Sequence, residues 1–118
     1  MRRMAVDKKL ITGSTDMLLM KLMEKEDMYG YQMIEELRKR SNNVFDMKAG
    51  TLYPLLHQLE QKGYLTSYDR PAGEARMRKY YRLTKEGRAH LVEREKEWRV
   101  FAGAVGDVLE GGALIAAH

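Results

Sequence analysis

The stretch AGTLYPLLHQLEQKG, residues 49–63, decides the fold of this chain. Four leucines recur in it at i, i+3, i+4 and i+7: Leu52, Leu55, Leu56 and Leu59. This spacing places one apolar stripe along a helix, so the stretch predicts an amphipathic helix packed on a core. Pro54 is tolerated only in the first turn, which sets the helix start near residues 49–51, and Gly63 is a natural residue just past its end.

The side of this helix opposite the leucines carries hydrogen-bonding groups near its N-terminal half. They are Thr51, Tyr53, His57 and Gln58. Groups of this kind at the N-terminal end of a helix are suited to contacting base edges in the major groove of DNA. Thr51, Tyr53 and His57 are therefore candidate DNA contacts. The alternatives are that Thr51 and Tyr53 only cap and pack the helix, and that His57 is an ordinary surface residue.

Two further helices are predicted before this one. Residues 10–28 are rich in leucine and methionine and fit a largely buried helix, at the centre of a small α fold or at a subunit interface. Residues 32–40 predict a second, shorter helix. Its apolar face consists of Met33, Ile34 and Leu37. Gly30, at the start of this second helix, has a free backbone N–H that can hold a phosphate, and the alternative is a simple turn glycine.

A β-hairpin is predicted directly after the leucine-rich helix. Residues 64–68 are β-prone, residues 70–75 form a loop because they contain proline and glycine, and residues 76–83 alternate between two faces. One face of the second strand is strongly basic. The candidate phosphate contacts are the cations here and before the leucine-rich helix: Lys48, Arg76, Arg78 and Lys79.

A long terminal helix is predicted after the hairpin. Thr84 is a good N-cap, no proline interrupts residues 85–110, and Gly111 with Gly112 stops the helix. Such a helix is ~40 Å long at 1.5 Å per residue, more than a small globule can cover by itself. We therefore expect its apolar stripe to form a two-fold dimer interface. The predicted interface residues are Leu91, Val92, Trp98, Phe101, Val105 and Leu109.

The charge and the order of elements together predict the fold class. The 118 residues carry a net charge of +4, and residues 48–90 hold nine basic but only four acidic residues. The expected fold is mainly α with a small β-hairpin. It is a winged helix-turn-helix, residues 1–84, continued in the same compact unit by a C-terminal dimerisation helix, residues 85–110, and a flexible tail, residues 111–118. A helix in the major groove beside a basic hairpin makes double-stranded DNA the expected partner.

The composition excludes most enzymatic chemistry. The chain has no cysteine and three scattered histidines, and it lacks the nucleotide-binding, serine hydrolase and zinc protease motifs. We therefore expect no enzyme, no metal site and no cofactor. No signal peptide is present, and no apolar run reaches the ~18 residues that a membrane span needs. This predicts a cytoplasmic protein without a membrane partner.

Three groups of residues, taken together in this spacing, resemble the PadR family of winged-helix transcriptional regulators. They are Tyr29, Gly30 and Tyr31; residues 50–56 with Leu59, Glu60, Gly63, Tyr64 and Leu65; and residues 78–84 with Glu86 and Gly87. The single helix after the hairpin is similar to the short PadR subfamily. The resemblance implies a homodimeric repressor that leaves its operator on binding a small effector. Glu74, in the hairpin loop, departs from a fully basic tip and argues against deep insertion of the tip into the minor groove.

The effector is predicted to be a small planar aromatic or phenolic molecule bound near the dimer axis. Aromatic rings and thioethers suit flat, polarizable ligands. The candidate effector-binding residues are Trp98, Phe101, Met17 and Met20. The alternatives are that Trp98 is a structural interface residue and that the methionines only fill a core. For the whole protein, the alternatives are a winged-helix module that binds another protein and a ligand-sequestering protein without DNA binding.

Overall fold

The computed structural model describes residues 13–111, which form four helices and three strands. In chain order these are α1 (Thr15–Leu22), β1 (Met28–Tyr29), α2 (Gly30–Arg40), α3 (Ala49–Gln61), β2 (Leu65–Pro71), β3 (Met77–Leu83) and α4 (Lys85–Glu110). The strands form one antiparallel sheet in the order β1-β3-β2. The predicted fold class, mainly α with a small β-hairpin and a long terminal helix, is confirmed. Residues 10–12 of the predicted first helix and 112–118 of the predicted tail lie outside the described residues.

The prediction for the first two helices missed the short strand between them. Helix α1 ends at Leu22 instead of reaching residue 28, and Met28 and Tyr29 pair with Tyr81 and Tyr80 of β3. Two residues are too few to show the alternation by which a strand is recognised in sequence.

The hairpin also differs from its predicted boundaries. Strand β2 continues to Pro71, through the start of the predicted loop, because Arg70 pairs with Arg78 and Pro71 with Met77. Arg76, predicted to begin the second strand, lies in the loop, where its carbonyl accepts a hydrogen bond from the Ala72 N–H at 3.0 Å. Both strands of the hairpin are therefore seven residues long and in register along their whole length.

Helix α1 lies at the centre of the hydrophobic core. Leu19 and Met20 are completely buried, and α1 packs against both α2 and α4. The other core residues come from every element of the fold: Met17, Leu22, Met23, Met28, Met33, Ile34, Leu37, Leu52, Leu56, Leu59, Leu65, Tyr81, Leu83 and Leu91. Methionine fills irregular gaps well, which suits a small core where helices and a twisted sheet meet.

The start of α4 is fixed against the turn between α3 and β2. Thr84 is the N-cap, as predicted: its Oγ1 accepts a hydrogen bond from the Gly87 N–H at 2.9 Å and donates one to the Gly63 carbonyl at 2.7 Å. A Cβ atom on Gly87 would overlap the carbonyl oxygen of Tyr64, so only glycine allows α4 to approach so closely. The Tyr64 ring also stacks on His90 at 4.2 Å.

Polar contacts hold the first half of α4 against α1. Lys21 Nζ lies 3.1 Å from Glu95 Oε1, and Arg94 Nη2 lies 3.0 Å from Asp16 Oδ1. Beyond Glu95 no described residue of α4 is buried. The helix continues to Gly111, whose left-handed backbone (φ 69°) ends it as predicted.

Asp27, just before β1, ties the hairpin to the helices. Its Oδ2 accepts hydrogen bonds from the Tyr68 hydroxyl at 2.5 Å and from Arg82 Nε at 3.1 Å. Burial would raise the pKa of Asp27, but the hydrogen bonds from Tyr68 and Arg82 outweigh it and lower that pKa below its ordinary value of 3.8. The carboxylate therefore favours the folded position of the hairpin in its charged form.

We expect Asp27→Asn to lower the free energy of unfolding at neutral pH by ~1–3 kcal/mol, because two hydrogen bonds to a charged acceptor are weakened. The folded pKa of Asp27 is depressed, so this stabilisation is complete above the ordinary pKa of 3.8 and is lost as the pH falls through the folded value. Urea unfolding of the two proteins should therefore converge at acid pH.

The control is Asp69→Asn, an exposed carboxylate on the opposite face of β2. It should change the stability little at any pH. A difference between wild type and Asp27→Asn that stayed constant into strong acid would contradict the assigned role of the carboxylate.

Candidate nucleic-acid interface

Helices α2 and α3 and the turn between them form the helix-turn-helix. The turn contains Asn42 (φ 54°) and Asn43 (φ 67°), and asparagine adopts this left-handed conformation more readily than most residues. The Asn43 N–H donates to the Arg38 carbonyl at 2.8 Å, and Ser41 Oγ accepts from the Phe45 N–H at 2.9 Å. These bonds fix the turn to the end of α2 and so set the direction of α3.

Helix α3 has one buried and one exposed face, as its leucine spacing predicts. The buried residues are Leu52, Leu56 and Leu59. The predicted base contacts Thr51, Tyr53 and His57 are all exposed on the other side. The structure therefore leaves these three side chains accessible along the N-terminal two turns of α3.

Tyr53 also contacts the start of α2. A Cβ atom on Gly30 would overlap the Tyr53 hydroxyl and lie 2.7 Å from its Cζ. Glycine at position 30 therefore lets the Tyr53 ring lie against the start of α2, and a larger residue would displace that ring. Gly30 itself is buried, whereas Tyr53 remains 41% exposed, so the tyrosine covers the helix end where the sequence predicted a phosphate contact.

Cations without a carboxylate partner are concentrated in residues 48–90. Of the nine lysines and arginines there, Arg82 alone lies within 4.0 Å of a carboxylate in the described part of the chain. Lys48, the N-cap of α3, is exposed, as are Arg76 in the hairpin loop and Lys79 on β3. Uncompensated positive charge is what binding to DNA phosphates requires.

Two of these unpaired cations, Arg70 and Arg78, lie on the outer face of the hairpin, away from the core, whereas Lys79 alternates onto the other face. The register places Arg70 and Arg78 opposite each other, with Tyr68 opposite Tyr80 on the same face. The guanidinium group of Arg78 stacks over the Tyr29 ring, with Cζ 4.0 Å from the ring centroid. Arg70 was not among the predicted contacts, because it fell in the predicted loop and only the strand register shows on which face it lies.

The predicted dimer residues of the terminal helix α4 differ in their exposure to solvent. Trp98 (45% exposed), Phe101 (66%), Val105 and Leu109 lie on an exposed stripe. Leu91 is 1% exposed and belongs to the core of its own chain, which corrects its assignment to a surface. Val92 is exposed but lies about 120° around the helix from Trp98 at 100° per residue.

The predicted effector residues do not all lie together at the surface. Trp98 and Phe101 are exposed, but Met17 and Met20 are buried in the core, beneath the surface of α1. Within residues 13–111, no helix has both the length and the apolar composition that crossing a membrane requires.

Residues 18–93 match the transcriptional regulator PadR-like family. A PadR family transcriptional regulator from Eggerthella lenta DSM 2243 is 36% identical, with a TM-score of 0.77 over 87% of this chain and 88% of that chain. A transcriptional regulator from Clostridium thermocellum, Cth-833, is 29% identical, with a TM-score of 0.80 over 87% of this chain and 97% of that chain. Transcriptional regulator Rv3488 of Mycobacterium tuberculosis is 40% identical over 67 residues, 57% of this chain and 59% of that protein.

These likenesses extend over the elements that form the proposed DNA surface. Residues 18–93 contain the whole of α2, α3 and the hairpin, and both structural matches cover most of the two chains compared. We conclude that this chain belongs to the PadR-like family of transcriptional regulators and acts by binding DNA, not as an enzyme.

Proposed function

We propose that the protein is a homodimeric repressor that binds a near-palindromic operator and releases it when a small effector binds. The observation that carries this proposal is the presence of two exposed surfaces of opposite character. One is polar and basic, on α3 and the hairpin, and the other is apolar, on the second half of α4. The first suits DNA and the second suits another copy of the chain. Repression, as the direction of control, follows from the resemblance to the PadR family.

On the DNA, α3 would occupy the major groove with its N-terminal half against the bases. Thr51, Tyr53 and His57 would reach base edges, since all three are exposed there. The phosphate contacts would come from the unpaired cations around them: Lys48, Arg76, Arg78 and Lys79. A two-fold dimer would place two such helices on half-sites about 10 bp apart or a multiple of that distance.

We expect Lys79→Ala to weaken binding to all DNA sequences alike and to reduce the slope of log affinity against log salt by about two, because each protomer of the dimer loses one phosphate contact. Thr51→Ala should instead change the preference among half-site sequences and leave the salt slope unchanged. Fluorescence anisotropy with labelled operator and mixed-sequence duplexes, over a range of salt concentrations, measures both effects.

The matched control is Lys96→Ala, which removes the same charge from the exposed side of α4. It should leave affinity and slope as in the wild type. If Lys79→Ala behaved like Lys96→Ala, the hairpin would not contact phosphate in the way proposed.

The dimer would form through the exposed stripe of α4. Trp98, Phe101, Val105 and Leu109 recur at three- and four-residue spacing and so share one side of the helix. Large apolar side chains exposed together mark an interaction surface. A two-fold axis beside this stripe would cover it with the same stripe of the second chain.

We expect the double variant Phe101→Asp with Val105→Asp to be monomeric where the wild type is dimeric. Charges in the centre of an apolar interface should weaken dimerisation by more than ~100-fold. Both residues are exposed in the single chain, so the fold itself should persist. Sedimentation at micromolar concentration, with circular dichroism as the check on folding, measures the outcome.

Val100→Asp is the control for this experiment. Val100 is 75% exposed but lies about 200° around the helix from Trp98. It should stay dimeric. A monomeric wild type, or equal disruption by Val100→Asp, would show that this stripe is not the interface.

The effector would bind beside Trp98 and Phe101 at the dimer axis. The ion pairs Lys21–Glu95 and Arg94–Asp16 join α4 to α1, so a change in the angle between the two α4 helices would carry the DNA-binding units with it. An almost complete switch requires about 10⁴-fold, or ~5.5 kcal/mol, of preference for one dimer shape. Stacking of one aromatic pair supplies only ~0.5–1.5 kcal/mol beyond area burial. Two ligands, or a pocket that reaches Met17 and Met20, would therefore be needed.

We expect planar aromatic or phenolic ligands to quench the fluorescence of Trp98 and to release the operator over the same concentration range. Trp98 is the single tryptophan of the chain, so the signal has one source per protomer. Trp98→Leu should bind the operator but fail to release it. Quenching without release of the operator would mean that Trp98 binds the ligand but has no regulatory role. If no flat ligand changed the fluorescence, Trp98 would be a structural residue of the dimer interface.

A further inference from the structure

Two arginines face each other across the hairpin without a carboxylate in ion-pair distance, although the charge of Arg70 helps to lower the pKa of Asp27 from farther away. Arg70 of β2 and Arg78 of β3 are directly opposite in the register. Like charges in this position are unfavourable, and residues so paired have Cα atoms about 4.5–5.5 Å apart. No described carboxylate lies within 4.0 Å of either guanidinium group. By contrast Arg82, on the same face, is neutralised by Asp27 at 3.0 Å.

Tyrosine rings hold the two guanidinium groups in place. Arg78 Cζ lies 4.0 Å from the Tyr29 ring centroid, and Arg70 Cζ lies 4.8 Å from that of Tyr80. The two rings are themselves in edge contact, with centroids 5.4 Å apart. The four planar groups are therefore in contact in sequence across three strands, with an edge-to-face contact between the two rings. Cation–π contacts fix the position of a cation but leave its charge uncompensated.

Two arginines fixed side by side in this way are better suited to binding an anion than to stabilising the fold. A pair of like charges costs free energy in the unbound protein, and an anion between them would remove that cost. The planar fork of arginine can donate two parallel hydrogen bonds to phosphate oxygens, so two forks can share one phosphate. Fixing both forks in advance reduces the entropy lost on binding.

We propose that Arg70 and Arg78 together bind one phosphate of the DNA backbone, and that Tyr29 and Tyr80 are the positioning residues that hold them for it. This inference rests on the DNA-binding function proposed above. It adds Arg70 to the contacts and assigns Arg78 to a shared phosphate instead of one of its own.

The test is a double-mutant cycle on operator binding with Arg70→Gln, Arg78→Gln and the double variant, each measured over a range of salt concentrations. If the arginines share one phosphate, the double variant flattens the salt slope by about 0.9 per protomer, and so by ~1.8 for the dimer, and its loss of affinity is smaller than the product of the two single losses. Slopes that fall by about twice that amount, with losses that multiply, would mean two independent phosphates and would overturn the proposal.

The positioning role is tested with Tyr80→Phe and Tyr80→Leu. Phenylalanine keeps the ring beneath Arg70, so Tyr80→Phe should bind operator as the wild type does. Tyr80→Leu should weaken binding about as much as Arg70→Gln does, and adding Arg70→Gln to it should weaken binding little further. Full additivity of the two changes would show that the ring does not act through Arg70. Thermal unfolding of each variant identifies any loss that comes from misfolding.

Arg99→Gln is the control, since it removes an exposed arginine from α4. If the wild type itself bound DNA without salt dependence, the proposed function would fail. If the wild type bound with a steep slope, and Arg70→Gln and Arg78→Gln both matched Arg99→Gln, only the paired site would be wrong.

Discussion

The structure depends on the complete burial of one short helix. Helix α1 has eight residues, too few to be stable alone, and it is held because Leu19 and Met20 are enclosed on all sides. Helix α2 packs against one side of it and α4 against another. The helix-turn-helix and the start of the terminal helix are therefore parts of one core. A force applied to the root of α4 acts on the DNA-binding surface through packed side chains, without a flexible joint.

The second organising feature is the separation of paired from unpaired charge. The cations of α1 and α2, and those of α4 from Arg94 onward, have carboxylates nearby, as in the pairs Lys21–Glu95, Arg40–Glu36 and Arg99–Glu95. Exposed ion pairs of this kind contribute little stability, so their main effect is to neutralise those surfaces. The cations of α3 and the hairpin, Arg82 excepted, lack such partners among the described residues. The unpaired positive charge is therefore concentrated in residues 48–90, which include the elements that would meet DNA, although the whole chain is only modestly basic.

Features that depend on residues close together in the chain could be predicted from the sequence, and features that depend on distant residues could not. The leucine spacing of α3, the Thr84 cap and the end of α4 at Gly111 depend on local chemistry, and they were predicted correctly. Strand β1 was missed because its two residues are held by β3, fifty residues later in the chain. Leu91 and Val92 are neighbours of similar character, yet one is core and the other surface, because the orientation of α4 on α1 decides between them. Arg70 could be recognised as a candidate contact only from the strand register, which places it opposite Arg78.

The terminal helix α4 has two parts: the first is packed against the core, and the second is exposed. Up to Glu95 it is bound to the core by Leu91 and by polar contacts with α1. From residue 96 onward none of its described residues is buried within the chain, and its large apolar side chains are free to meet another molecule. The proposed effector residues Trp98 and Phe101 lie in this second part, and they share no residue with the DNA surface. Any influence of one surface on the other passes along α4 to its contacts with the rest of the chain, which include the ion pairs of Arg94 and Glu95 with α1 and the packing of the helix start against the turn between α3 and β2. Because α4 is one uninterrupted helix from Lys85 to Glu110, the same element carries the exposed apolar side chains at one end and these contacts at the other.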